Sequence, residues 1–347
     1  MGRKLRSLVG ALKDTASLSK AAATAAALSP SSAAQLAVLR ATTHHPADEP
    51  PHPRHIQALL SFGHGSRLSA ASAAGVLASR LRSTGDPAVA FKCLLALHHL
   101  LARGAFILRD QLPPALLRHP ASGRNPLVLA AFRHGSSSAA ASWALASWVR
   151  WYARLLERLL SASVLLVSFP TAHRPFAKPD DDVRERVTSL LDQDLISELD
   201  ALVGIVEEMA GVPEMVAVEG SRLVAEAVRL VEADRVAAEH EIEIRVTEME
   251  ARLGSLRFAD SVELVCLLRR LENCRYRPWD RKSTVGDWFW AGVRDLMYRA
   301  EKVVLRREEE ERRVKREKAS ASARASDRIP VGSNQAVRFG STRWADR

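Results

Sequence analysis

Cysteine is scarce: Cys93, Cys266 and Cys274 are the only three in 347 residues. Three thiols cannot build a disulfide framework, and no CxxC spacing offers a zinc site, so a reducing, cytosolic setting without metal or cofactor is expected. Aromatic residues make up only 5% of the chain, and Gly (17) and Pro (16) are few. That removes the strand-rich and low-complexity classes. No run of about 20 apolar residues exists to span a membrane. Acid is nearly absent from the start of the chain, where Asp14 is the one carboxylate before Asp48. Catalytic signatures are missing as well: there is no GxSxG, GxxxxGK[ST], GxGxxG or HExxH. An enzyme is not expected.

What the chain has is Ala, Leu and Val, which dominate a hydrophobic share of 47% and favour an all-α fold. Helical spacing predicts helices over Ser32–Thr43, Ser66–Arg82, Asp86–Arg103, Ser138–Ser161, Asp181–Met209, Gly220–Leu253 and Phe258–Asn273. The Asp86–Arg103 segment is apolar nearly all round and belongs at the centre of a bundle. From about Arg299 a charged helix passes into Ser, Ala and Arg. Three regions are expected: a basic N-terminal helix (1–30), a helical domain (31–275), and a C-terminal helix with a basic disordered tail (276–347).

The net charge of +10 hides a strong asymmetry. Residues 1–179 carry +15, residues 180–265 carry −14 and residues 266–347 carry +9, while ten of the 11 histidines lie in the first part. The first part is therefore expected to meet an anionic surface and the acidic middle to face away. Leu5, Leu8, Val9, Leu12 and Ala16 recur at helical spacing among Arg3, Lys4, Arg6, Lys13 and Lys20. Such a helix either docks on the domain or folds into a headgroup layer with Lys4, Leu5, Leu8, Val9 and Leu12 leading. An acid-poor, Ser- and Ala-rich start also fits a transit peptide, whereas Arg6 stands where a myristoylation signal needs Ser or Thr.

Other clusters read as structural. His98 and His99 point about 100° apart on a helix and Cys93 sits among leucines, a poor nucleophile and base. Asp180, Asp181 and Asp182 suit a helix N-terminus better than a metal. Trp143, Trp148, Trp151 and Tyr152 spread over more than one helix face and are expected to pack between helices rather than stack bases.

The segment Arg40-Ala41-Thr42-Thr43-His44 ends one helix, a Pro-rich hinge follows, and His52-Pro53-Arg54-His55 opens the next. Basic groups on both sides of such a hinge can converge on one phosphorylated headgroup, helped by free backbone N–H groups and the helix dipole. A plain Pro-rich turn with solvated histidines is the alternative.

RATTHHPADEPPHPRHI resembles the phosphoinositide-binding signature of the ANTH-domain family, and the resemblance continues through GDPAVAFKCLLALHHLLARG, FILRDQL, SWALASWVRWYARLLERLL and FADSVELVCLLRRLENC. It covers about residues 1–275, and the chain looks like one of the short plant clathrin assembly proteins. The resemblance implies a right-handed superhelical solenoid of antiparallel helices, within the wider ENTH/ANTH/VHS-like group. It further implies a cytosolic adaptor, peripheral on membranes at clathrin-coated pits and vesicles, the Golgi or the plasma membrane. Such an adaptor binds phosphatidylinositol 4,5-bisphosphate, acts in clathrin coat assembly and endocytosis, and captures vesicle SNAREs, with no nucleic-acid partner. The implied headgroup ligands are Arg40, His52, Arg54 and His55. His52 replaces a usual lysine, so the resemblance implies weaker binding that strengthens on mild acidification. Residues 299–347 lack DPF, NPF and DLL motifs, which leaves clathrin the least supported partner. The competing function is a helical scaffold or nucleic-acid-binding protein with a diffuse basic surface.

Overall fold

The computed structural model describes residues 2–25, 30–118, 123–132, 140–166, 180–214, 218–275 and 287–326. The described residues are all-α, with no strand among them. The helices are α1 (Gly2–Ala25), α2 (Pro30–Ala41), α3 (Pro53–Leu60), α4 (Arg67–Ser83), α5 (Pro87–Arg103), α6 (Phe106–Leu116), α7 (Ala140–Leu165), α8 (Asp180–Ser189), α9 (Asp192–Ala210), α10 (Arg222–Arg252), α11 (Phe258–Asn273) and α12 (Asp287–Ser326). They stack as a solenoid: α1 on α2, α2 on α4, α4 on α6, α5 on α7, α7 on α9, α9 on α10 and α11, and α11 on α12.

Local sequence explains most of the boundaries. Ser66 accepts from the Ser69 N–H, and Asp86 accepts from the N–H groups of Ala88 and Val89 ahead of Pro87. Both satisfy donors that a helix start leaves open. The one long helix expected over Asp181–Met209 is two. Thr188 and Ser189 hydroxyls bond back to the carbonyls of Glu185 and Arg186, and the Arg252 guanidinium takes the carbonyls of Thr188 and Leu190 and the Asp192 carboxylate. That hydrogen bonding replaces the helical turn at Leu190–Leu191. Helix α6 keeps Pro113 and Pro114 inside it, which the sequence reading does not anticipate.

At the centre, every residue of α5 from Pro87 to Leu101 is buried. A helix enclosed all round must satisfy its polar side chains internally, and α5 has three. His98 Nδ1 pairs with the Tyr152 hydroxyl of α7 at 2.7 Å, and its Nε2 with Asp234 of α10 at 2.6 Å. His99 Nε2 lies 3.3 Å from Glu226, while Lys92 reaches toward the segment after α2. Trp148, Trp151 and Tyr152 are buried as expected, with both indole N–H groups donating to carbonyls at the end of α9 and just after it. Trp143, by contrast, is 61% exposed. The apolar core continues into α12 through Phe289, Trp290, Val293, Leu296 and Ala300.

The His98 pair joins α5, α7 and α10 where no water reaches it. Asp234→Ala leaves an imidazole nitrogen unpaired in the core and should lower stability by about 3 kcal/mol. Urea unfolding checks it; a loss within about 0.5 kcal/mol of zero would show the pair contributes nothing net.

Candidate headgroup site

Helix α2 closes with Thr42, whose N–H and Oγ1 both donate to the Val38 carbonyl at 3.0 and 2.7 Å. From there to Pro53 the chain is held by groups from four other elements. The Arg80 Nη2 of α4 donates to the Thr42 carbonyl at 3.2 Å. The Lys92 Nζ of α5 donates to the carbonyls of Thr43 (2.9 Å) and Pro46 (2.6 Å). Asp14 of α1 accepts from the His44 backbone N–H at 2.7 Å and pairs with His44 Nδ1 at 2.6 Å. Asp48 accepts from the Ser221 hydroxyl at 2.6 Å, and Glu49 from Arg222, at the start of α10.

Lys92 is the buried member of this set. Burial holds its pKa below the usual lysine value, opposed by the fields of Asp14, Asp86, Glu49 and Asp48. A cation retained there needs acceptors, and the two carbonyls supply them. Gly10 completes the α1 contact: a Cβ at that position would lie 3.0 Å from the Cβ of His44.

With the connection fixed, the ends of α2 and α3 meet. Arg40, His52 and Arg54 are exposed and His55 is half-buried. The rings of His52 and His55 sit edge to face with centroids 6.0 Å apart, and Arg54 Nε donates to His55 Nε2 at 3.4 Å. The pKa of His55 is lowered, first by burial and then by the charges of Arg54, His52 and Arg40. The four residues expected from the sequence therefore share one electrostatic field.

One part of the expectation fails. The backbone N–H groups at the start of α3 are not free: Arg54 N–H donates to His52 Nδ1, and the N–H groups of His55 and Ile56 donate to the His52 carbonyl. Pro53 has none to give. Side chains, not backbone donors, make this surface cationic.

On α1, Val9 is 45% and Leu12 69% exposed, so both face outward on the docked helix. The side chains of Lys4, Leu5 and Leu8 lie outside the described residues. Elsewhere, His98, Tyr152 and Asp234 have the look of a catalytic triad but are sealed in the core, and burial pushes the Cys93 thiol up to about 12. Neither can act on a substrate. No metal-holding group of three or more His, Cys, Asp or Glu occurs among the described residues, and none of their helices is long and apolar enough to cross a membrane.

Residues 33–238 match the ANTH domain, a span that contains the clamped turn and all four cationic positions. The chain belongs to the ANTH-domain family. It is 39% identical to the Arabidopsis thaliana protein named "Putative clathrin assembly protein At4g40080", over the whole of this chain and 96% of the relative. It is 31% identical to "Putative clathrin assembly protein At5g10410" of the same plant, over 85% of this chain and 86% of the relative. Members of this family are non-enzymatic adaptors, and this chain is one of them.

Lys92→Met removes both donors beneath the turn, and its cost is offset in part because an ammonium is no longer desolvated. The net loss should be about 2 kcal/mol in urea unfolding. Faster amide exchange confined to residues 43–49 should accompany it; unchanged protection there would show that the turn does not depend on Lys92.

Proposed function

We propose that the chain is a phosphoinositide-binding membrane adaptor that acts in clathrin-coated vesicle formation and endocytosis. The observation that carries this reading is the convergence of Arg40, His52, Arg54 and His55 across a turn fixed by Lys92, Asp14 and Arg80. Two guanidiniums beside two imidazoles match the charge and donor needs of a bisphosphorylated inositol ring. The outward Val9 and Leu12 on a basic helix add an apolar contact for the same bilayer, so that headgroup and interface are met together. A peripheral location on coated pits and vesicles, the Golgi or the plasma membrane follows from this chemistry and from the clathrin assembly proteins to which the chain is similar.

The coat and cargo parts of the role have separate support. Two full-length relatives named as clathrin assembly proteins favour a clathrin partner, although residues 299–347 carry none of the usual short motifs. Vesicle SNARE capture would need an apolar helix groove. On the α11 side α12 already covers that surface with Phe289, Trp290, Val293 and Leu296.

Co-sedimentation with vesicles containing phosphatidylinositol 4,5-bisphosphate, or charge-matched phosphatidylserine, tests the reading. Selective binding to the first, lost in Arg40→Ala plus Arg54→Ala, is the expected result. Equal binding to both, indifferent to the substitutions, would favour a diffuse basic surface and a scaffold or nucleic-acid role. The pH dependence has a definite sign: phosphate stabilises protonated imidazole, so binding takes up protons and strengthens as pH falls from about 8 to about 6. His55 starts from a lowered pKa, which places its share of the gain in the acidic half of that range. Affinity independent of pH would remove the histidines from the site.

A further inference from the structure

Helix α12 leaves the body part-way along its length. Its first half packs on α11: Phe289, Trp290, Val293, Leu296 and Ala300 are buried, and Glu301 pairs with Arg269. The last hold on the body among the described residues is Arg307, whose guanidinium donates to the carbonyls of Leu256 and Gly254 just after α10. Beyond it every residue from Glu309 to Ser320 is exposed, and the helix runs on to Ser326.

A helix that is polar all round holds only where pairs within it replace a packed face. The sequence at this point is Glu308-Glu309-Glu310-Glu311-Arg312-Arg313-Val314-Lys315-Arg316-Glu317-Lys318. Acids followed at once by bases set opposite charges one turn apart, and the pairs form: Glu308 with Arg312 at 3.4 Å, Glu311 with Lys315 at 3.7 Å and Arg313 with Glu317 at 3.6 Å. In the first two the acid precedes the base, the order that a helix favours. Every residue of the stretch except Val314 is also a strong helix former. A short helix in isolation would still be disfavoured about a thousandfold by nucleation. Here the packed half of α12 is the nucleus, and the exposed half only propagates it.

We infer that α12 beyond Arg307 is a free-standing helical arm, held by its own ion pairs, that acts as a rigid spacer. From Glu308 to Ser326, at about 1.5 Å per residue, the arm sets the start of residues 327–347 about 28 Å from Arg307. Residues 319–347 hold five arginines against two aspartates. On a flexible connection they would sample all shorter distances and fold back toward the carboxylates of the body. A separation of about 28 Å is several times the screening length of about 8 Å at physiological salt. The arm therefore keeps these arginines from being neutralised by the chain's own acids and leaves them open to anionic groups outside it.

The test keeps the full chain. Spin labels are placed on Cys266, exposed on α11, and at position 320 through Ser320→Cys; Cys274→Ser removes the half-buried thiol, and Cys93 is buried. Dipolar spectroscopy should give one narrow distance distribution that is independent of protein concentration. Glu308→Lys with Glu311→Lys sets like charges one turn before Arg312 and Lys315. It should broaden the distribution severalfold and speed amide exchange over residues 309–320, while α11 exchanges as before. Adding Arg312→Glu and Lys315→Glu restores opposite charges at the same spacing and should bring the narrow distribution back, which contacts with the body would not do. A broad distribution in the labelled parent chain, a narrow one in the double lysine variant, or a rescue that fails would overturn the proposal. So would a distance that appears only at high protein concentration, the sign of two copies pairing.

Discussion

A helix buried on every side can keep a polar side chain only if another element supplies its partner, and α5 keeps three. Lys92, His98 and His99 leave the same helix toward the turn after α2, the α7–α10 interior and Glu226 of α10. Each is costly alone and stabilising once paired, because the desolvation of an unpaired ion or imidazole exceeds the net gain of any one hydrogen bond. The central helix thus helps to set the distances between the turn after α2, α7 and α10. The turn from Thr42 to Glu49 has no regular structure, yet its carbonyls are fixed from below by a buried ammonium and its acids are taken by the start of α10. A surface site on a loop becomes as well placed as one on a helix.

The charge asymmetry acquires a different meaning in three dimensions. Much of the acidic middle is taken up in ion pairs. Glu198 is gripped by Arg186 and by the fully buried Arg245, Arg270 of α11 bridges Glu207 and Asp200 of α9, and α12 pairs through Arg299 with Glu250 and through Glu301 with Arg269. Arg270 with Glu207 and Asp200, and Arg299 with Glu250, thus join the negative second region to the positive third, while the Glu198 and Glu301 pairs lie within one region each. The net positive charge is thus carried mainly by the sequence of the first region, which contains α1 and the cationic turn.

Helical periodicity made most of the solenoid readable, because apolar spacing at α5, α10 and α11 reflects burial directly. What it could not show is where backbone groups are satisfied by distant side chains. The interruption at Leu190–Leu191 depends on Arg252, more than 60 residues away, and nothing local announces it. Helix α6 survives two prolines, which a propensity reading counts against it. The cationic residues of the site were legible through the motif around the Pro-rich hinge. Their supports were not: Lys92 reads as one residue of an apolar helix, and Asp14 as an isolated acid in a basic segment. Only the fold brings them to Thr43, His44 and Pro46.

The histidines of the site carry a constraint that lysines would not. His52 Nδ1 accepts the Arg54 N–H and His55 Nε2 accepts from Arg54 Nε, so one nitrogen of each ring is engaged within the turn. Protonating His52 adds a charge but ends its role as the cap of α3, a contact of about 1 kcal/mol. Protonating His55 places a third cation beside Arg54 and Arg40. Burial and the charges of Arg54, His52 and Arg40 oppose that second step, and an anion bound beside them would offset it.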